Sequence, residues 1–108
     1  MPRPDDQVDE LRALCPAVRG LTEGGTEYYF LPGIRVPGIA DIVDALLCPQ
    51  EHSGYTTRLF LSSVVPGKGQ NWRPHTILSR LWHTCSWNNV PADQRLAEIL
   101  AQHLRAFR

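Results

Sequence analysis

A tryptophan-rich stretch near the carboxyl end, RLWHTCSWNN (residues 80–89), contains three side chains that could do chemistry: His83, Cys85 and Ser86. A thiolate is a stronger nucleophile than a hydroxyl and makes a more energetic acyl intermediate, so chemistry alone favours Cys85 as a covalent carrier. If the stretch is a strand, His83 lies on the same face as Cys85, where an imidazole could favour the thiolate.

Ser86 is the rival nucleophile. Because a serine hydroxyl is far less acidic than a thiol, it needs a positioned base, which His75 or His103 would have to provide. The competing interpretation is structural: a cysteine between aromatic residues is most often a small buried hydrophobic side chain. His103 is in the same way read most simply as a packed, hydrogen-bonded histidine. The residues alone leave these alternatives open.

A structural zinc site is a weaker possibility. The pairs Cys48-x-x-x-His52 and His83-x-Cys85 supply two cysteines and two histidines, the ligand types of a tetrahedral zinc site. Their spacing matches no common zinc finger, and Cys48, in a Leu-Leu-Cys-Pro context, reads as a strand end in the core. We expect no metal and no small-molecule cofactor, because the chain has neither a glycine-rich nucleotide loop nor a Gly-x-Ser-x-Gly elbow.

The composition predicts one globular domain spanning residues 1–108. Hydrophobic residues make up 43% of the 108 and charged residues 20%, which is typical of a chain that folds. The 11 basic residues balance the 11 acidic ones, which argues against a nucleic-acid partner. The amino terminus lacks the apolar run of a secretory signal and no long apolar run follows it, so we expect a cytoplasmic protein with no membrane partner and three reduced cysteines.

Helices are predicted at the two ends of the chain. From Asp5 onward apolar residues recur at helical spacing behind acidic residues, until Pro16 ends the pattern. Pro91 suits a first helical position, and an apolar stripe running to Phe107 follows it. These segments would flank whatever the middle of the chain forms.

The middle of the chain is punctuated by proline and glycine, which favours short strands and turns. We predict strands over residues 27–32, 44–48 and 56–65, and a mobile loop over residues 65–74. The resulting order is helix, antiparallel meander, irregular segment, helix. The fold class is therefore α+β, a small antiparallel meander sheet flanked by an N-terminal and a C-terminal helix.

The order of several short motifs resembles the small bacterial members of the ubiquitin-conjugating-enzyme superfamily. The motifs are FLPGIRVPG, DALLCP, GYTTRLFLSS, NWRP and RLWHTCSW, followed by the terminal helix, and the resemblance spans roughly residues 28–107. It implies a ubiquitin-conjugating-enzyme-like fold. It also implies an acyl carrier that accepts a ubiquitin-like protein from an activating enzyme, as a thioester or an oxyester, and passes it to a target protein.

The sequence departs from the familiar family pattern at the site. A His-Pro-Asn segment is absent, and the nearest arrangement, Arg73-Pro74-His75, ends ten positions before Cys85. The missing asparagine puts oxyanion stabilisation in doubt, although Asn71, Asn88 or Asn89 could donate a comparable amide.

The resemblance leaves three further expectations. Small bacterial relatives often keep a serine in this tryptophan-rich stretch without a cysteine before it, which implies an oxyester carrier and makes Ser86 the close alternative to Cys85. Degenerate members of the superfamily bind a ubiquitin-like protein without carrying it. Bacterial systems of this type are associated with antiviral defence, which is an expectation from the resemblance alone.

Overall fold

The chain forms one antiparallel sheet with a helix at each end of the sequence. The computed structural model describes residues 4–52, 54–66, 71–85, 87 and 90–107. The helices are α1 (Asp5–Leu14) and α2 (Leu96–Leu104), and a short 3₁₀ turn (Arg105–Phe107) extends α2. The strands are β1 (Arg19–Glu23), β2 (Thr26–Ile34), β3 (Val43–Cys48), β4 (Arg58–Leu61), β5 (Trp72–Ile77) and β6 (Arg80–Cys85). The α+β class and the flanking helices are confirmed.

Helix α1 matches its sequence signals. Asp5 and Asp6 occupy its first turn, where carboxylates favour the positive end of the helix dipole, and Arg12 lies in its last turn. Leu11 is fully buried, and Cys15 already has extended backbone angles just ahead of Pro16. The predicted helix and its end at Pro16 are therefore confirmed.

Helix α2 begins later than the prediction. Pro91 does not start it; residues 92–94 form a bend, and the first helical residue is Leu96. The backbone N–H of Arg95 donates to the Glu98 carboxylate 3.2 Å away, which supports the first turn. The Arg95 guanidinium also reaches Asp6 and Glu10 of α1, at 2.6 Å and 2.8 Å, so the two helices are joined where α2 begins.

The strands lie in the order β1-β2-β3-β4-β6-β5, and all neighbours are antiparallel. The predicted strands at 27–32 and 44–48 are confirmed as β2 and β3, whereas the strand predicted at 56–65 is confined to β4. The loop expected over residues 65–74 is wrong at its end, because β5 begins at Trp72, and residues 67–70 of it lie outside the described residues. Strand β5 and the RLWHTC stretch form a hairpin on the outer side of β4, where the prediction had an irregular segment.

The two faces of the sheet are covered differently. The first, here called the helix-covered face, packs Leu31, Leu61 and Cys85 with the buried side chains of α1 and α2. The second, here called the concave face, buries Tyr28, Leu46, Cys48, Phe60, Ile77 and Trp82 in a separate cluster.

No described helix residue joins the cluster on the concave face, so strand residues and His52, from the loop after β3, cover it. In a flat sheet of six strands the outer strands β1 and β5 would be about 24 Å apart. Yet the Glu23 carboxylate of β1 accepts a hydrogen bond from the backbone N–H of Leu78, in the turn after β5. The two edges therefore curl toward one another over the concave face. Phe60 is fully buried on this face, in contact with the rings of Tyr28, His52 and His75.

Candidate functional site

Cys85 is the last residue of β6 and faces the helix-covered core. It pairs with Trp72 of β5 and is only 7% exposed. Burial raises the pKa of its thiol, and the nearby positive charge of Arg58 lowers it by a smaller amount. The thiol is therefore protonated near neutral pH and screened from solvent. As found, Cys85 is a core cysteine rather than an activated nucleophile.

His83 shares the face of Cys85, as the strand spacing predicts. Its cross-strand partner is Leu61, a member of the same helix-covered core. The imidazole is half-buried, and within the described residues no hydrogen bond links it to the thiol of Cys85. The structure thus brings the two side chains to one face but does not form an imidazole–thiol pair.

His75 lies on the other side of the sheet. It is the cross-strand partner of Trp82, and cross-strand partners share a face. Its ring contacts Phe60 and His52, with ring centroids 5.5 Å and 5.6 Å away. Burial, together with the charges of Arg58 and Arg73, lowers the pKa of His75. The structure does not bring His75 together with Cys85, because the sheet separates them.

His103 is a buried, hydrogen-bonded histidine, which confirms its structural interpretation. Its Nε2 lies 2.8 Å from the hydroxyl of Thr57, and that hydroxyl donates to the carbonyl of Val90, 2.9 Å away. A hydroxyl has one proton, so Nε2 must be the protonated nitrogen that donates to Thr57. Burial lowers the pKa of His103 to about 4, and the charge of Arg58 adds to this effect.

The remaining nucleophile and the possible amide donors are placed only in part. Ser86, Asn88 and Asn89 lie outside the described residues. Asn71 is exposed and immediately precedes β5. The prediction that Ser86 carries an acyl group therefore stays a prediction.

The zinc arrangement is wrong. Cys48 belongs to the cluster on the concave face and Cys85 to the helix-covered core, so the four proposed ligands cannot converge on one ion. In the part of the chain that the structure describes, no three His, Cys, Asp or Glu residues are grouped to hold a metal. The thiol of Cys48 instead donates to the carbonyl of Gln50 at 3.4 Å, and burial raises its pKa to about 11.

Arg58 is the residue that sequence reasoning missed. It begins β4, is only 4% exposed, and its guanidinium lies 4.2 Å from the centre of the Tyr55 ring. Its Nε is buried without a hydrogen-bond partner, and no described carboxylate forms an ion pair with it. The sequence did contain an indication of this. The predicted strand at residues 56–65 includes TTRLFL, and an arginine within a buried strand is expected to be buried with it.

The charge of Arg58 acts on both faces of the sheet. Burial raises the pKa of the Cys85 and Cys48 thiols, and the charge of Arg58 opposes that rise. Burial lowers the pKa of three histidines, and the charge of Arg58 adds to that effect at His103, His52 and His75. The guanidinium thus lies where the histidines and thiols of the two faces approach one another. A buried cation without a carboxylate can stabilise an anion that enters this end of the sheet.

No protein-family model, curated protein or solved structure matches this chain. Among the described residues, no helix has the length and apolar character needed to cross a bilayer.

Proposed function

We propose that this chain is a ubiquitin-conjugating-enzyme-like protein that binds a ubiquitin-like protein at the end of β6, without an acyl link to Cys85 in its resting form. The proposal draws on the motif order of the sequence. An N-terminal helix, an antiparallel sheet beginning with a four-strand meander and a C-terminal helix are compatible with it. We choose the non-covalent form because Cys85 is buried and its thiol pKa is raised, so the thiol is a poor nucleophile at rest.

Covalent carriage is the second candidate. It is favoured by the position of Cys85 at the strand end, by His83 on the same face and by the charge of Arg58 beside the thiol. In this reaction a sulfur of Cys85 or the hydroxyl oxygen of Ser86 bonds to the C-terminal carbonyl carbon of the ubiquitin-like protein. The bond to the thiol of the activating enzyme breaks, and that thiol leaves with the proton given up by the nucleophile. Transfer to an amine of the target protein would follow.

Intact mass spectrometry distinguishes the two candidates. The chain is mixed with an activating enzyme, its ubiquitin-like protein and ATP, and binding of the ubiquitin-like protein alone is measured by calorimetry. Calorimetric binding without an adduct supports the non-covalent form. An adduct of the summed masses less one water supports the carrier, and neither binding nor an adduct would remove both candidates.

Variants then identify the carrier atom if an adduct forms. Loss of the adduct in Cys85→Ala and its release by added thiol identify a thioester. Loss in Ser86→Ala, with resistance to thiol and cleavage by alkali, identifies an oxyester. Cys48→Ala is the matched control. The Cys48 thiol is buried on the concave face, so its removal should leave the adduct unchanged.

A further inference from the structure

A pocket opens on the concave face between the two converging edges of the sheet. Its floor is apolar, formed by Phe30, Leu46 and Trp82, and Leu78 closes one side. Its volume is about 170 Å³. We call it the arginine pocket, because Arg19 from β1 and Arg80 from β6 line it together with apolar residues. It lies on the opposite side of the sheet from Cys85, so it does not belong to the site at the end of β6.

Both arginines are stacked on the aromatic floor. The Arg19 guanidinium lies 5.2 Å from the centre of the Phe30 ring, and that of Arg80 lies 4.6 Å from the Trp82 ring. This stacking holds two cations at the pocket and does not itself use the N–H groups of Arg19. The pocket thus combines an apolar floor with fixed positive charge.

The charge balance of the pocket favours a single negative charge. Arg80 is already paired with the Asp44 carboxylate, 2.9 Å away, whereas Arg19 has no ion pair among the described residues. None of the residues that line the pocket is acidic. The Glu23 carboxylate at the edge accepts a hydrogen bond from the backbone N–H of Leu78, which leaves its negative charge in place but does not pair it with Arg19. Arg19 is therefore the guanidinium of the pocket that a bound carboxylate would meet, and one such cation suits a monoanion.

The floor of the pocket also contains a donor without an acceptor. Trp82 lines the pocket and is 2% exposed, and its indole N–H is buried without a hydrogen-bond partner in the described structure. A buried donor without an acceptor is uncommon in folded proteins, because its lost hydration is not replaced. Because the nitrogen itself is buried, this deficit belongs to the packing of the pocket floor and is not a contact for an occupant.

The wall of the pocket contains strained backbone. Leu78 and Ser79 form the two-residue turn between β5 and β6, and both have positive φ, 54° and 63°. A bulky residue such as leucine rarely adopts this conformation, and strain of this kind is concentrated at functional sites. Glycine or asparagine is the usual residue in a turn of this geometry. Leucine at this position instead supplies a side chain that forms one wall of the pocket.

We propose that the arginine pocket binds an aromatic or branched apolar group that carries one carboxylate, either a free acid or the C-terminal residue of a peptide. A cavity of about 150 Å³ lined by Leu, Ile and Phe is large enough for benzene, so this pocket accommodates one ring or branched side chain. The ring or branched group packs on the apolar floor, and the carboxylate meets Arg19, which has no ion pair among the described residues. The proposal does not depend on the function proposed for the end of β6.

The test is a titration of the ¹⁵N-labelled chain with phenylacetate, a ring bearing one carboxylate, followed by NMR. Trp72→Phe and Trp87→Phe each remove one of the three indole peaks, which identifies the Trp82 peak by elimination. Phenylacetate should shift the Trp82 indole peak. The Trp72 peak should stay in place, because Trp72 stacks on Phe107 in the opposite core.

Matched variants and probes test the role of charge. Arg19→Gln should weaken phenylacetate binding about tenfold, because a charge-assisted hydrogen bond is lost. Arg73→Gln removes an exposed arginine outside the pocket lining and should leave the affinity unchanged. Phenylacetamide, which has the same ring without the charge, should also bind about tenfold more weakly.

N-acetylphenylalanine separates the two sources of the ligand. If it binds more tightly than phenylacetate, the occupant is the C-terminal residue of a peptide; if phenylacetate binds more tightly, it is a free acid. A Trp82 indole peak that does not move up to the solubility limit of either probe would overturn the proposal. Equal affinities for phenylacetate and phenylacetamide would overturn it as well.

Discussion

Acidification should destabilise the fold through His103 before most carboxylates titrate. The folded pKa of this histidine is about 4, against an ordinary value of 6.5. Between these values the unfolded chain binds a proton that the folded chain excludes, so the free energy of unfolding falls as the pH falls. The contribution is fully present above the ordinary pKa and is lost progressively below it.

The size of the effect follows from the two pKa values. At about pH 5 a histidine in the unfolded chain is almost fully protonated, whereas folded His103 is still mostly neutral. Integrating the difference in bound protons from about pH 7 to about pH 5 gives a loss of about 2 kcal/mol from His103 alone. His52 and His75 also have lowered pKa values, because burial disfavours their charged forms, and they add to the loss with the same sign.

The assay is urea denaturation of the whole chain at the two pH values, with His103→Gln compared with the double variant His52→Gln/His75→Gln. We expect His103→Gln to lower stability at neutral pH, because the packing with Thr57 is altered, but to reduce the pH-dependent loss by about 2 kcal/mol. The double variant should retain that part of the loss. An unchanged pH dependence in His103→Gln would refute the assignment of a buried, neutral imidazole.

Three further predictions concern single side chains. Arg58→Met should raise the free energy of unfolding by about 1 kcal/mol in urea denaturation, because removing a buried cation that has no ion pair outweighs the loss of its stacking on Tyr55. A lower free energy of unfolding would contradict this. The control is Arg73→Met, which replaces an exposed arginine. Cys85 should react with iodoacetamide far more slowly than a free thiol at neutral pH and should react fully in urea, as followed by mass spectrometry; fast labelling of the folded chain would contradict its burial. Ser79→Gly should stabilise the chain by about 0.5 to 1 kcal/mol in thermal unfolding, because glycine adopts positive φ without strain. An unchanged or lower melting temperature would show that the turn is not strained.

Much of the fold could be predicted where a segment has one buried side. Helix α1 has apolar residues at helical spacing, and strand β2 is rich in aromatic residues. Strand β3 was the ambiguous segment, because it is buried on both faces and its short apolar run fits either a helix or a strand. Strand β1 was missed because its sequence, RGLTE, is exposed or half-exposed throughout and lacks the alternation that marks a buried face. Strand β5 was missed because Pro74 is typical of a loop, yet an edge strand has one side without ladder bonds and tolerates proline there.

The candidate site was predictable only in the parts that depend on neighbours in sequence. The shared face of His83 and Cys85 follows from the period of a strand. The separation of His75 from Cys85 depends on the pairing of β5 with β6, in which His75 lies opposite Trp82, and no local pattern specifies that register. The same limit applies to zinc, because the spacing of Cys48 and Cys85 says nothing about which face of the sheet each occupies.

At the end of β6, burial is the largest influence on the pKa of the Cys85 thiol, and the charge of Arg58 is a smaller influence that opposes it. The sheet divides the candidate acid–base groups, with His83 and Cys85 on one face and His75 on the other. Of the groups discussed, the buried guanidinium is the one whose charge reaches both sets. It lowers the pKa of the Cys85 thiol while burial raises it more, so the balance at rest favours packing over reactivity. A partner that exposes Cys85 would remove the opposing effect of burial and leave the attraction of Arg58, so binding itself would be the step that makes a thiolate available.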